Sequence, residues 1–220
     1  MKIIDGFSTI LSLSAGYRLF RRTIGGESAC KTYLAEYVKP VPGEKILDIG
    51  CGPADVLNYL PEVNYTGLDL SADYIRSAKQ RFGSRGRFLC GDVGLVSLEA
   101  ERGEFDLVLA IGVVHHLNDA QAARLFDLAR RQLRPAGRLL TYDGCYVPRQ
   151  SHVARWLLAR DRGKFVRRRE EYLKLATAHF TEVESYLRHD LLHVPYTHLI
   201  MRCRKPVSAG AKPDHSASGR

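Results

Sequence analysis

Residues 45–71, KILDIGCGPADVLNYLPEVNYTGLDLS, end one apolar run in Asp48 and two glycines, and a second apolar run in Asp69. Glycines where a strand turns into a helix let backbone N–H groups approach a ligand, because no Cβ stands in the way. A carboxylate about twenty residues further on can accept both hydroxyl hydrogens of a ribose. Two ligand classes compete for such a turn. One is a dinucleotide, whose pyrophosphate wants G-x-G-x-x-G; the other is a nucleoside with a cationic centre. Gly50 and Gly52 are present, but Asp55 fills the third glycine slot. At a helix start that carboxylate repels a pyrophosphate, whereas an ammonium or sulfonium welcomes it together with Asp48. The dinucleotide reading loses.

A second group lies further along. His115 and His116 in GVVHHLND fall just past an apolar strand-like run, where open α/β sheets place reacting groups. Imidazole titrates near neutral pH, so one of them, His116 by preference, is a candidate base. The competing reading is that the pair shapes the loop and caps a helix at 118–133. Tyr146 and His152 are the next candidates. From Arg149 to Lys205 the chain holds thirteen Lys/Arg against six Asp/Glu, so most of the +9 net charge lies there. Arg149, Arg155, Arg160, Arg162 and Lys164 suit a phosphate or carboxylate. VRRREE, with Arg167 to Arg169, reads instead as a solvated helix face with internal charge pairing.

These residues need elements to hold them. Short β-like runs appear at KILDI, YTGLDL, RFLCGD, FDLVLAIG and RLLTYDG, separated by helical patterns at 54–60, 72–82, 94–102 and 119–133. Such alternation predicts right-handed βαβ units and a parallel sheet. After Tyr146 it breaks into two basic helical segments and two strand-like runs, EVESYLRHDLL and YTHLIMRCR, suited to an antiparallel edge pair. Residues 1–43 read as a helical lid, 44–204 as the main domain with an insertion at about 146–165, and 205–220 as a disordered tail. The apolar stripe Phe7, Ile10, Leu11, Leu13, Tyr17, Leu19, Phe20 suits a lid or a dimer face; a membrane-surface helix ending at Arg21–Arg22 is the third option.

At 220 residues and 45% hydrophobic, the chain supports one good core. Five scattered cysteines, with no CxxC pair and no Cys/His cluster, predict reduced thiols and no metal site. No apolar run reaches membrane-span length and no signal-peptide pattern is present, so a soluble cytoplasmic protein is expected, as monomer or homodimer.

LDIGCGPAD resembles the first motif of class I S-adenosylmethionine-dependent methyltransferases, and GLDLS their second-strand acidic motif. CGDV resembles the third-strand motif, FDLVLAIGVVHHLND the fourth-strand segment, and LRPAGRLLTYDG the turn into strand five. The likeness covers about residues 44–145, with Ala54 where the family has its third glycine. YDGCYVP, ARWLLARDRGK and HDLLHVPYTHLIM extend it to the bacterial type-11 group. The resemblance implies an α/β, Rossmann-like fold: a seven-stranded, mostly parallel sheet with helices on both faces and an antiparallel edge pair. It implies S-adenosylmethionine as cofactor, with Gly50, Cys51 and Gly52 under the methionine part and Asp48 hydrogen-bonding near it. Asp69 would hold the ribose, Leu70 pack on the adenine, Asp92 take the exocyclic amine and Val93 the ring nitrogen. The backbone near Ala110 would meet the amino-acid end, while His115, Arg149 and Arg155 would contact the acceptor. The implied reaction is methyl transfer to oxygen, nitrogen or carbon of a small acidic or phosphorylated acceptor. The Asn/Asp-Pro-Pro-aromatic signature of amino-group methylation on nucleobases is missing. An RNA methyltransferase, favoured by net charge alone, and a non-catalytic cofactor-binding subunit are the alternatives.

Overall fold

The computed structural model describes residues 25–92, 102–160 and 163–205. The first 24 residues of the expected lid, the 94–101 part of a predicted helix and residues 206–220 lie outside them. Helix α1 (Gly26–Tyr33) widens into a π-helical turn over Leu34–Val38 and stops where Lys39 turns left-handed before Pro40. The strands are β1 (Lys45–Ile49), β2 (Asn64–Asp69), β3 (Gly86–Cys90), β4 (Phe105–Ile111), β5 (Leu133–Tyr146), β6 (Arg167–Arg168), β7 (Glu182–Arg188) and β8 (His198–Arg204). Between them stand α2 (Ala72–Phe82), α3 (Asp119–Gln132), α4 (His152–Arg160) and α5 (Arg169–Thr177).

The strand order is β3-β2-β1-β4-β5-β8-β7, with the two-residue β6 pairing β5 outside this path. Pairs among β1 to β5 are parallel, and β8 runs antiparallel to both β5 and β7. The architecture is therefore the mostly parallel Rossmann-like sheet expected, with its antiparallel pair at one edge. Strands β1 and β4 lie in the middle, so both their faces are buried and their sequences are almost continuously apolar. Leu47, Ile49, Val108 and Ala110 face the cluster under α3 and α5. Ile46, Leu107 and Leu109 face the opposite cluster under α1 and α2. That double burial supplies the folding force and leaves the strand ends to carry polar groups.

Two expectations need correction. The predicted helix at 54–60 is only a 3-10 turn, Asp55–Asn58. Ala54 enters it left-handed at φ 57°, and Pro61 disfavours helical geometry in the residue before it. Arg167 is not on a solvated face. It is buried, because β6 sets it against Cys145 of β5, whereas Arg168 and Arg169 do stay exposed. Among the described residues no helix is long and apolar enough to cross a membrane.

Candidate active site

The C-terminal ends of β1, β2, β4 and β5 share one rim, and the candidate residues gather there because a parallel sheet aligns its chain ends. After β1, Gly50 and Gly52 adopt φ 72° and 55°, which side-chain-bearing residues rarely do. A Cβ on Gly50 would lie 2.5 Å from Val113 Cγ2, so only glycine lets the β4 loop close here. A Cβ on Gly52 would meet nothing within 4 Å, which leaves an open backbone cradle. Gly52 N donates to Asp69 Oδ2 at 2.9 Å, and Ser71 N donates to Asp69 Oδ1 at 2.8 Å. Asp69 thus ties the loop after β1 to the start of α2, where Ser71 caps Tyr74 N. Each carboxylate oxygen keeps a second lone pair for a ligand hydroxyl. Leu70, next to it, is 72% exposed, a large apolar side chain with little protein cover.

Asp48 lies deeper, 3% exposed, and accepts from the Tyr65 hydroxyl at 2.6 Å. Burial raises its carboxyl to about 7; the Tyr65 bond works against this and the nearby Asp69 charge adds to it. From α1, Tyr33 comes in fully buried, and its hydroxyl has no hydrogen-bond partner among the described residues. Burial pushes its ionisation well above the ordinary range, and the charges of Asp48 and Asp143 push it further. Cys51 is buried against Gly67, and burial likewise drives its thiol upward. Asp92 is exposed just past β3, Ala110 is buried within β4, and Val93 lies outside the described residues.

Asp55 is paired with Arg81 at 2.5 Å. That partner weakens the argument from its repulsion of a pyrophosphate. The stronger physical objection is the turn itself: four residues of 3-10 helix supply little of the aligned dipole a pyrophosphate uses.

Beyond β4 the two histidines separate. His115 is buried, and its Nδ1 lies 2.8 Å from Asp143 Oδ1, which also accepts from His115 N at 3.1 Å. A carboxylate only accepts, so Nδ1 carries the proton in the neutral ring and Nε2 is the basic nitrogen. Asp143 is itself buried, and its Oδ2 has no hydrogen-bond partner among the described residues. His116 is exposed, its ring 4.3 Å from that of His115 between centroids. Asp143 is thus placed to orient the imidazole of His115, and His116, the base preferred from sequence, lies exposed beside it.

The insertion closes over this pair. Phe165 N donates to His115 O at 2.9 Å, and a Cβ on Gly163 would sit 2.0 Å from His115 Cδ2, so the strap crosses only as glycine. Arg167 pins both sides together: it donates to Val114 O at 3.1 Å, Leu117 O at 2.7 Å and Phe165 O at 2.9 Å, and pairs with Asp119 at 2.8 Å. Tyr146 is half-buried at the end of β5, with the Arg155 guanidinium 5.5 Å over its ring. His152 is exposed at the start of α4, and Arg149 is exposed with φ 55°. Neither is drawn toward His115 by any described contact.

Asp143, Tyr33, Tyr65 and Arg167 were missed from sequence. Asp143 had a signal, an acidic residue ending strand five opposite the histidines. Tyr33 and Tyr65 had none, and the signal at Arg167 was hidden in a run of three arginines.

Residues 46–137 match the family described as a methyltransferase domain. The malonyl-[acyl-carrier protein] O-methyltransferase of Paenibacillus sp. (strain JDR-2) is 36% identical over 104 residues, 44% of this chain and 37% of that protein. The phosphoethanolamine N-methyltransferase of Plasmodium falciparum is 25% identical over 130 residues, 58% of this chain and 48% of that protein. The chain thus spans less than half the length of these curated relatives. A TehB-like methyltransferase from Corynebacterium glutamicum superposes with a TM-score of 0.65 at 19% identity, over 90% of this chain and 98% of that one. The family match over residues 46–137, together with the fold and the motifs, makes the chain similar to the class I S-adenosylmethionine-dependent methyltransferases. The residues present fit that family's cofactor: an open glycine cradle, an exposed apolar platform at Leu70 and the buried Asp48 carboxyl suit a cationic nucleoside.

Proposed function

We propose that the chain transfers a methyl group from S-adenosylmethionine to a small-molecule acceptor bearing an acidic or phosphorylated group. The observation that carries this reading is that the open Gly52–Asp69–Leu70 cradle and the buried His115–Asp143 pair both lie toward the C-terminal ends of the parallel strands. The cofactor, when bound, supplies an electrophilic methyl on a sulfonium. Gly50, Cys51 and Gly52 would underlie its methionine part with Asp48 nearby, Asp69 would accept from the ribose, Leu70 would cover the adenine and Asp92 its amine. The backbone from Ala110 to Gly112 would face the amino-acid end.

Displacement at a sulfonium needs alignment and a dry site more than it needs a base. The strap at 163–165 and the Arg167 clamp exclude water over His115. For a hydroxyl or carbon acid, His115 Nε2 takes the proton while Asp143 stabilises the imidazolium; a neutral amine needs no such help. Arg149 and Arg155 would hold the acceptor's anionic group, with Tyr146 and His152 beside them. Support comes from the names of relatives: malonyl-acyl carrier protein, phosphoethanolamine and geranyl diphosphate all carry acidic or phosphate groups.

A second reading, an RNA acceptor, is favoured by the net charge of +9 and by relatives named probable tRNA methyltransferase 9B, 34% identical in Bos taurus. Labelled methyl donor incubated with metabolite extract and, separately, with bulk tRNA decides between them. Label in a small anionic product is the expected result; label in tRNA alone overturns it. Calorimetry should show binding of S-adenosylmethionine and none of NAD at comparable concentration.

A further inference from the structure

Helix α4 has an outer face that the site does not use. At about 100° per residue, Val153, Trp156 and Arg160 fall within roughly 60° of one another and about 100° to 160° from Ala154 and Leu158. Ala154 and Leu158 are the helix's buried side chains, and Leu158 packs against Gly144. Val153 and Trp156, by contrast, are 54% and 53% exposed. Phe165, on the strap that follows, is 39% exposed. Large apolar side chains this open are few among the described residues, and three of them crowd into one short segment.

The same segment has one sign of charge. From Arg149 to Arg169 the sequence holds eight Arg/Lys and a single acid, Asp161. Arg167 is engaged in the clamp and Arg149 and Arg155 serve the acceptor in the proposed reaction, but Lys164, Arg168 and Arg169 are exposed, and the Arg160 guanidinium lies 4.0 Å from the centre of the Trp156 ring. Indole is stable at an apolar–aqueous boundary, and arginine lays its stem along apolar surface while its head reaches outward.

We propose that the outer face of α4, with Phe165, docks on an anionic lipid bilayer. A convex face bearing valine, tryptophan and phenylalanine amid arginines matches an interfacial helix, in which apolar side chains enter the acyl boundary and cations meet lipid phosphates. A nucleic acid would want a basic groove with aromatic platforms, and Val153 offers it nothing. A small anionic acceptor would leave the apolar residues in water. Docking does not depend on the methyl-transfer reading, so either can fail without the other.

Trp156 is the chain's only tryptophan, which makes its emission a reporter of this face alone. The full chain is mixed with vesicles of phosphatidylcholine and phosphatidylglycerol in equal parts, or of phosphatidylcholine alone. The expected result is a blue-shifted emission and co-sedimentation with the mixed vesicles, weakened by salt and lost without the anionic lipid. Val153→Asp should abolish co-sedimentation while leaving the melting temperature unchanged. Unshifted emission, or co-sedimentation that survives Val153→Asp, overturns the proposal. So does a shift produced by bulk tRNA and not by vesicles, which would assign the face to nucleic acid.

Discussion

The half of the rim at β1 and β2 and the half at β4 and β5 are built on different terms. The first is made of backbone: glycines at left-handed φ, an open cradle, and one carboxylate that holds two N–H groups within a short span of chain. The second is made of side chains from distant segments: His115 with Asp143, the strap of 163–165, and Arg167 reaching back to Val114 and Leu117. A cofactor shared by a whole family needs only a generic cradle. An acceptor peculiar to one enzyme needs groups whose identity can change while the sheet stays the same.

The sharpest break of this contrast is at His115. His115→Ala should lower turnover on a hydroxyl or carbon-acid acceptor by about 10²–10⁴-fold, with cofactor affinity nearly unchanged. His116→Ala should cost far less. Rate against pH for both variants on the true acceptor checks this, and loss of cofactor binding in the His115 variant would make that residue structural.

Arg167→Ala tests whether the second half depends on its clamp. Leaving the buried Val114 carbonyl and the part-buried Leu117 and Phe165 carbonyls without this donor should cost about 2–4 kcal/mol of stability, read by denaturant unfolding. Asp119 is exposed and adds little to that cost.

In the first half, Asp69→Ala should weaken cofactor binding by about 1–3 kcal/mol in calorimetry and leave the acceptor-side geometry intact. Asp48 adds a pH dependence to the same half. Its carboxyl is at about 7 when folded against an ordinary 3.8, so between those values the folded state holds a proton that the unfolded state has released. The stability associated with this group is fully present below the lower value and is lost as pH rises through the upper one. Asp48→Asn should remove that slope and stabilise the cofactor-free protein near pH 8 by about 1–3 kcal/mol, seen as a higher melting temperature. The smallest effect belongs to the exposed cations: Arg155→Ala should raise the acceptor KM about 2–5-fold and flatten its salt dependence.

The two halves also differ in how far they could be read before the fold was known. The strands KILDI and FDLVLAIG were legible because burial on both faces forces continuous apolar runs. Helix α2 was legible because Ser71 caps it and its apolar residues recur on one face. The 54–60 segment looked helical by periodicity, but one left-handed residue at Ala54 and one proline at 61 outweighed the pattern.

By itself the sequence determined the order of strands and helices, the glycine turn after β1 and the acidic residue ending β2. These follow from local rules, since spacing within a strand–turn–helix unit sets both the backbone path and its chemistry. Tertiary structure alone decided that His115 meets Asp143, because the pair spans 28 residues and requires β4 and β5 in register, with Ile111 beside Tyr142. It also decided that Arg167 is buried while Arg168 and Arg169 are not, and that Tyr33 of α1 comes within range of the charges on Asp48 and Asp143. Identical residue types in one run meet different fates when a two-residue strand pairing turns one of them inward, and no local pattern carries that information.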